Sequence, residues 1–437
     1  MGVQVQTPNV CKMKTPITFL LLLLLTFGNL VAQSPACGDP QRFSETPRFT
    51  MSQLYTDTTL VYGQAPNRFG TVVPLKMNIA FPKLNVDPLA LRPVVLLVHG
   101  GGFVHGSRHD LNEECINFAR RGFVAITIDY RLGHNCAADP LSYELATYRA
   151  QQDARAALRY IVHYASVARA DTSWIFVGGG SAGAGTVLGL QYLTQAEVDT
   201  SQPALRATLG TLDGSGNAFT DTYTLKGIFN NWGAVSADYF QASEALPTVA
   251  FHGDADQTVG IDSYMGGTCS DSQLLYGSRG IHDELVNWGV CSDLTVEVGG
   301  DHGIYNSTPA QREFRVRRAA CFFRSVMCGG CTTFYSTDSI GPDCYTPPAN
   351  KLAAEQARAI LAPNPSTDGM LQVSLPSGWT AATLQVYDLA GGCLHKAALR
   401  GTDVHAVDLS GLPAGLYLID LAGDAGQREL IRYLITR

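Results

Sequence analysis

Four short segments hold the residues best suited to chemistry. The first is Gly179-Gly180-Ser181-Ala182-Gly183, which fits G-x-S-x-G. It follows a strand-length apolar run at 175–177 and precedes a helical run. A strained strand-to-helix turn lifts a serine hydroxyl clear of a sheet, and small neighbours let the chain pass close to itself. The new helix then aims its positive end at developing negative charge. The same stretch also satisfies G-x-G-x-x-G through Gly178, Gly180 and Gly183. A dinucleotide cradle would need an acidic residue at the end of the next strand, about 20 residues on. Asp199 lies at about that distance, but in a polar loop.

The second segment, His99-Gly100-Gly101-Gly102-Phe103, follows the apolar run 93–98. Consecutive glycines leave backbone N–H groups unobstructed, as an oxyanion hole requires. Gly101, Gly102 and Ala182, the residue after the serine, are the expected donors, and His99 is expected to hold the loop.

The third element supplies acid and base. His252-Gly253-Asp254-Ala255-Asp256-Gln257-Thr258-Val259 follows the run 247–251, and Gly299-Gly300-Asp301-His302-Gly303 follows the run 294–298. A serine hydroxyl needs a base, and the imidazole needs a carboxylate to fix its tautomer and stabilise its cation. Ser181, Asp256 and His302 are the expected catalytic residues, in the chain order Ser, Asp, His. Asp254 and His282 are the rivals for acid and base, and the positions of Asp256 and His302 just beyond strand ends favour those two. His105 and His109 are four apart with no third ligand in view, so no metal and no cofactor is expected. Phe103, Tyr130 and Trp232 are expected to line a substrate pocket.

These segments need a scaffold. Residues 58–82 read as an antiparallel hairpin. The runs 93–98, 124–128, 175–177, 226–229, 247–251 and 294–298 are short and apolar throughout, like strands covered on both faces. Helical patterns at 110–121, 143–168, 182–196 and 309–327 alternate with them. The expected fold class is α/β, a mostly parallel sheet with helices on both faces. Residues 328–357, rich in Cys, Gly and Pro, read as a linker. Short strands at 371–375, 383–387, 404–409, 415–421 and 429–435 then form a small all-β sandwich, 358–437.

Bulk properties bound the environment. The 437 residues, 46% hydrophobic and 16% charged, can bury a large core. A net charge of −7 gives no reason to expect nucleic acid or anionic membrane as a partner. Lys12 and Lys14 precede an apolar run with small residues near Ala32, so residues 1–32 read as an export signal. That run is shorter than the roughly 18–20 residues that span a bilayer, so no stable membrane span is expected. Met13 is an alternative start. Residues 33–327 are left as the catalytic domain. Ten cysteines remain after the signal, and disulfides suit an exported chain. The expected pairs are Cys115 with Cys136, Cys269 with Cys291, and pairs within Cys321, Cys328, Cys331 and Cys344. Cys328-x-x-Cys331 could be half a zinc site, but no second pair accompanies it.

With these motifs in hand, the chain resembles the α/β-hydrolase superfamily, in its carboxylesterase and hormone-sensitive-lipase-like branch. The HGGGF loop carries the likeness, with Asp129-Tyr130-Arg131-Leu132, Gln152-Asp153-Ala154-Arg155-Ala156-Ala157 and the segment from His252 to Val259. It covers roughly 55–325. The serine motif departs from it, reading GGSAG where many members have GDSAG, and 196–224 looks like an insertion near the site. Residues 358–437 resemble the type A sorting domain of type IX secretion, through Pro363-Asn364-Pro365, Gly369, Val386-Tyr387-Asp388, Gly391 and the run from Leu409 to Tyr417. A carbohydrate-binding sandwich would show clustered aromatics, and none is present there. The resemblance implies a secreted or cell-surface serine esterase, exported through the periplasm by the type IX machinery, with Asp256 as the triad acid. Its substrate would be a small-molecule or polysaccharide-derived ester. A serine peptidase of the same fold and a non-catalytic binding or adhesion domain are the alternatives.

Overall fold

The computed structural model of the chain describes residues 39, 41–267, 269, 272–337, 360–362, 366–375, 379–388, 392–401, 404–423 and 428–436. The expected export signal, Cys37, Cys344, most of the expected linker, the Pro363-Asn364-Pro365 motif and Gly391 lie outside them.

The N-terminal pattern builds one nine-stranded sheet. Its strands are β1 (Leu54–Pro66), β2 (Val72–Pro82), β3 (Arg92–Val98), β4 (Val124–Ile128), β5 (Ala170–Gly180) and β6 (Leu225–Asn231). A short strand, β7 (Val235–Ser236), follows outside the sheet. Then come β8 (Thr248–Gly253), a hairpin of β9 (Ser263–Gly267) and β10 (Ser272–Tyr276), and finally β11 (Ser292–Glu297) and β12 (Phe334–Thr337). The order across the sheet is β1-β2-β4-β3-β5-β6-β8-β11-β12. Only β1 and β2 are antiparallel to their neighbours; the other seven strands run parallel.

Each strand feeds both faces. Val94, Leu96 and Val98 enter one core, and Val95 and Leu97 enter the other. Ile175 and Val177 alternate with Phe176 in the same way. This period of two, buried on both sides, is why the sequence is apolar throughout at these places. Helices cover the faces. α1 (Asn112–Arg120) and α8 (Pro309–Met327) pack on the Phe176 side. α2 (Ser142–His163), α4 (Ala182–Tyr192) and α7 (Ser278–Asn287) pack on the Val177 side. Short helices α3 (Ala165–Ala168), α5 (Gln195–Ser201) and α6 (Pro203–Leu209) complete this region. Thr308 caps α8 by accepting from the Gln311 N–H, with Pro309 in the first turn, which fixes its start where the sequence predicts it.

β3 lies between β4 and β5, so the strand order reverses there. Such a reversal opens a crevice beyond the carboxyl ends of the strands. The HGGGF loop leaves β3 and the serine turn leaves β5 at this point.

The C-terminal strands are β13 (Ile360–Ala362), β14 (Met370–Ser374), β15 (Ala381–Tyr387), β16 (Cys393–Arg400), β17 (Val404–Asp408), β18 (Gly415–Gly423) and β19 (Arg428–Ile435). They form two antiparallel sheets, β13-β14-β17 and β16-β15-β18-β19. Leu371, Val373, Leu384, Val386, Ile419 and Leu421 meet in one core between them.

Several expectations need correction. β12 falls inside the stretch expected to be a linker and pairs parallel with β11, so the large sheet runs on to Thr337. The expected helix 143–168 breaks at Tyr164, and that at 182–196 stops at Tyr192 before α5 begins. The hairpin β9–β10 and strand β16 were not expected. Two expected disulfides are overturned: Cys136 bonds Cys269, and Cys291 bonds Cys331. Cys115 is free and buried in α1. A cysteine's bonding partner is set by the folded path, and these partners lie 133 and 40 residues apart. Cys321 and Cys328 are also disulfide-bonded, so no thiolate of the CxxC pair is left for zinc.

Burial pushes the Cys115 thiol up to about 12, and thiolate is the reactive form. In the folded protein at pH 8, site-resolved mass spectrometry after iodoacetamide should therefore find Cys115 unmodified and the exposed Cys393 modified. Denaturation without reductant should expose Cys115 to labelling. A requirement for reductant at Cys115 would restore the Cys115–Cys136 pairing.

Candidate active site

Ser181 sits on the turn between β5 and α4 with φ +54° and ψ −122°, a region that a residue with a Cβ rarely adopts. Two contacts from β6 hold the turn. The Ser181 N–H donates to the Asn231 carbonyl at 2.9 Å, and the Asn231 side-chain amide donates to the Gly179 carbonyl at 2.9 Å. The approach is close enough that a Cβ on Gly183 would stand 2.0 Å from the Val98 oxygen, so only glycine fits there.

Three of the expected residues come together. The Ser181 Oγ lies 2.9 Å from His302 Nε2, and His302 Nδ1–H donates to Asp256 Oδ2 at 2.7 Å. The other oxygen of Asp256 accepts from the N–H groups of Thr258 and Val259, at 2.8 and 2.9 Å. Buried His252 stands 3.2 Å from Asp256 Oδ2 and donates from Nε2 to the Val259 carbonyl. Burial of Asp256 by itself would raise its pKa, but the hydrogen bonds from His252, Val259, His302 and Thr258 outweigh it. They hold the carboxyl well below the usual carboxylate range, so Asp256 is an anion. The rivals lie elsewhere. Exposed Asp254 accepts from the Gly299 N–H, and His282 is buried on α7 against the Ser292 hydroxyl.

The glycine loop turns back on itself. The Gly101 carbonyl accepts from the N–H groups of Val104 and His105, and Gly101 has φ +103°. Among the described residues the N–H groups of Gly101 and Gly102 donate to no protein acceptor. The Ala182 N–H opens α4, where no intrahelical partner exists. Gly102 and Ala182 face the same cavity as Ser181, a space of about 550 Å³. His99 supports the loop from below. Its Nδ1 contacts the Gly100 carbonyl at 2.8 Å and its ring stacks on Tyr130 at 4.4 Å; burial lowers its pKa and keeps it neutral.

Of the three expected pocket aromatics, only Phe103 lines the cavity. Tyr130 is buried beneath the loop and donates its hydroxyl to the His99 carbonyl at 3.1 Å. Trp232 is buried behind the triad, with its ring centroid 6.2 Å from that of His302. Tyr143, Tyr148, Tyr239 and Tyr264 form the aromatic walls instead. His134, Cys136 and Cys269 gather closely enough to suggest a metal site, but both sulfurs are spent in the disulfide.

The sequence reading missed Arg315 on α8. Its fully buried guanidinium donates to Asn231 Oδ1 at 3.0 Å, Glu114 Oε1 at 2.8 Å and the Tyr305 carbonyl at 2.9 Å. It also lies 4.9 Å from the centre of the Trp232 ring. Burial lowers its pKa, and Glu114 offsets that. Arg315 thereby links the serine turn, through Asn231, to the loop that carries His302. An arginine beside the apolar stripe Val316, Ala319, Ala320 and Phe323 is the signal that could have found it.

Residues 77–230 match the BD-FAE family, and residues 361–435 match a secretion system C-terminal sorting domain. Among curated proteins, the chain is 37% identical over 82 residues to the non-reducing polyketide synthase nvfA of Aspergillus novofumigatus (strain IBT 16806), a stretch of 18% of this chain. The chain spans about 3% of the length of that relative. Among solved structures, it is similar to the propionate-bound esterase Est2 of Thermogutta terrifontis, at 19% identity and a TM-score of 0.45, over 65% of this chain and 98% of that one. It is also similar to esterase B of Lactobacillus rhamnosis HN001, at 15% identity and a TM-score of 0.42, over 64% and 88%. The chain thus holds a BD-FAE domain over residues 77–230 and a secretion system C-terminal sorting domain over residues 361–435. Among the described residues no helix is long and apolar enough to cross a membrane.

The Asp256 carboxyl gives this site a pH signature. A pKa depressed on folding adds stability above the unfolded value of about 3.9 and loses it as pH falls toward the folded value. The difference in unfolding free energy between the native chain and Asp256→Asn should therefore shrink as pH falls below about 4. Denaturant titrations at several pH values check this, and a difference flat down to pH 3 would mean that the carboxylate is not held as an anion.

Proposed function

We propose that this esterase-like α/β-hydrolase cleaves carboxylic esters with Ser181 as nucleophile, His302 as general base and acid, and Asp256 as the carboxylate that orients it. The observation that carries the reading is the unbroken relay from the Asp256 carboxylate through the His302 ring to the Ser181 oxygen, with Ser181 lining the cavity.

The chemistry follows from the protonation states. Asp256 is an anion and accepts the Nδ1 proton of His302, which leaves Nε2 as a lone pair aimed at Ser181. As Ser181 Oγ bonds to the ester carbonyl carbon, its proton passes to Nε2 and the imidazolium is stabilised by Asp256. The N–H groups of Gly101, Gly102 and Ala182 receive the carbonyl oxygen as it becomes an oxyanion. The C–O bond to the alcohol then breaks, with the His302 proton going to the leaving oxygen. Water, deprotonated by the same Nε2, attacks the acyl-enzyme, and the acid leaves with Ser181 restored. Nothing in this sequence of steps requires a metal or cofactor.

An exported enzyme meets polymers and their fragments. Acyl groups on plant polysaccharides are accordingly the substrate class we favour, with the periplasm as the route of transit and residues 358–437 engaging the secretion machinery.

The full chain should hydrolyse p-nitrophenyl acyl esters, and Ser181→Ala should lower kcat/KM by at least about 10³-fold. A fluorophosphonate should label the native chain at Ser181 and leave the variant unlabelled. Undiminished turnover by Ser181→Ala would remove the nucleophile assignment, and faster cleavage of matched amides than of esters would move the reading to a peptidase.

A further inference from the structure

Two features of the cavity stand apart from the relay. Ser181, Ala182 and Gly102 line it, but His302 does not. The leaving alcohol must lie at His302 Nε2 to take its proton, while the carbonyl oxygen lies among the N–H donors. Gly102 and Ala182 place the cavity on the donor side, and Thr258 and Val259 line it as well. It is therefore placed to take the acyl half of the ester.

Its floor is helix α4. Along this helix nearly every residue is buried, and Gly185 and Gly189 are exceptions. Both face the cavity, as do Ser181 and Leu193. Positions 181, 185, 189 and 193 repeat every four residues and share one helix face. At 1.5 Å per residue they span about 18 Å. Main chain replaces side chains at two of the four positions, so the face is a groove. A Cβ at Gly189 would stand 2.0 Å from the Gln151 side-chain amide, so that amide fills the space beside this glycine and would have to shift for a larger residue. A Cβ at Gly185 meets nothing nearer than the Ala234 oxygen at 3.6 Å, so packing leaves that position free to hold a larger residue. Leu205, on α6, also lines the cavity.

We propose that this groove is an acyl slot for extended, mainly apolar acyl groups, far longer than acetyl, and that Gly185 keeps it open. The proposal rests on the ester-hydrolase reading and adds the half of the substrate that the cavity selects. Gly185, one helical turn beyond Ser181, is the point where a side chain would cut the slot short.

The test uses the full chain, Gly185→Leu and the milder Gly185→Ala. One series lengthens the acyl group of p-nitrophenyl esters from acetate to decanoate. The other keeps the acetyl group and lengthens the alcohol from methyl to octyl. Native protein should use long acyl esters efficiently. In Gly185→Leu the ratio of kcat/KM for decanoate to that for acetate should fall about 10–100-fold, with a smaller fall in Gly185→Ala, while the ratio across the alcohol series stays as in the native chain. If Gly185→Leu does not fold, the Gly185→Ala ratio decides. A fall in the alcohol series instead, or no change in either, overturns the acyl slot. Native protein that turns over acetate but no longer acyl group overturns it too, and leaves the ester-hydrolase reading standing. Absence of turnover on every ester sinks both.

Discussion

A serine at φ +54° holds its place only because the chain around it leaves no alternative path. Backbone strain of this kind costs on the order of 1–3 kcal/mol and persists where surrounding contacts over-determine it. Here the contacts come from the sheet itself. β3 presents the Val98 carbonyl so close to Gly183 that the first turn of α4 has a single seating. β6 supplies the Asn231 carbonyl to the serine N–H and the Asn231 amide to Gly179. The strain is thus carried by the strands on both sides of β5, at the place where the sheet order reverses.

The same constraint explains a buried charge in an otherwise apolar helix. Asn231 can hold the turn only if its side chain is fixed, and Arg315 fixes it. A buried ion pair adds little net stability beside well-packed apolar residues, yet losing one partner is costly. Its worth here is geometric. Arg315 and Glu114 belong to α8 and α1, which pack on the sheet face opposite α4. Their pairing holds the serine turn and the loop from His302 to Tyr305 against one rigid body. Two groups that must stay 2.9 Å apart are then referenced to the same guanidinium, although 121 residues separate them in the chain.

Much of this was legible because local chemistry imposes local sequence. Ser181, Asp256 and His302 each follow an apolar run and sit among glycines, so strand end and loop could both be read. The alternating cores of β3 and β5 left continuous apolar stretches for the same reason. What escaped was non-local. Tyr130 and Trp232 follow strand ends as Phe103 does, and nothing in the residue type says that their rings turn under the loops and not into the cavity. The cysteine partners depend on where the β9–β10 hairpin and β12 come to rest, and both elements are too short and too polar to announce themselves. Arg315 was hidden because a charge on an amphipathic helix ordinarily faces water.

The division between the two sides of Ser181 gives the insertion after α4 a purpose. On the His302 side, the loop 299–303 is partly exposed. On the other side, Val198 of α5, Leu205 of α6 and Leu212 pack against Tyr148 of α2, and Leu205 and Tyr148 line the cavity. The Cys136–Cys269 bridge ties the loop ahead of α2 to the β9–β10 hairpin, two segments whose neighbours Tyr143 and Tyr264 both line that cavity. His134 adds a contact from this loop to the Gly102 carbonyl at 3.1 Å. The disulfide therefore reaches the oxyanion donors through one imidazole. Where a disulfide persists, as in an oxidising environment, the cavity wall and the glycine loop are held in register by covalent structure.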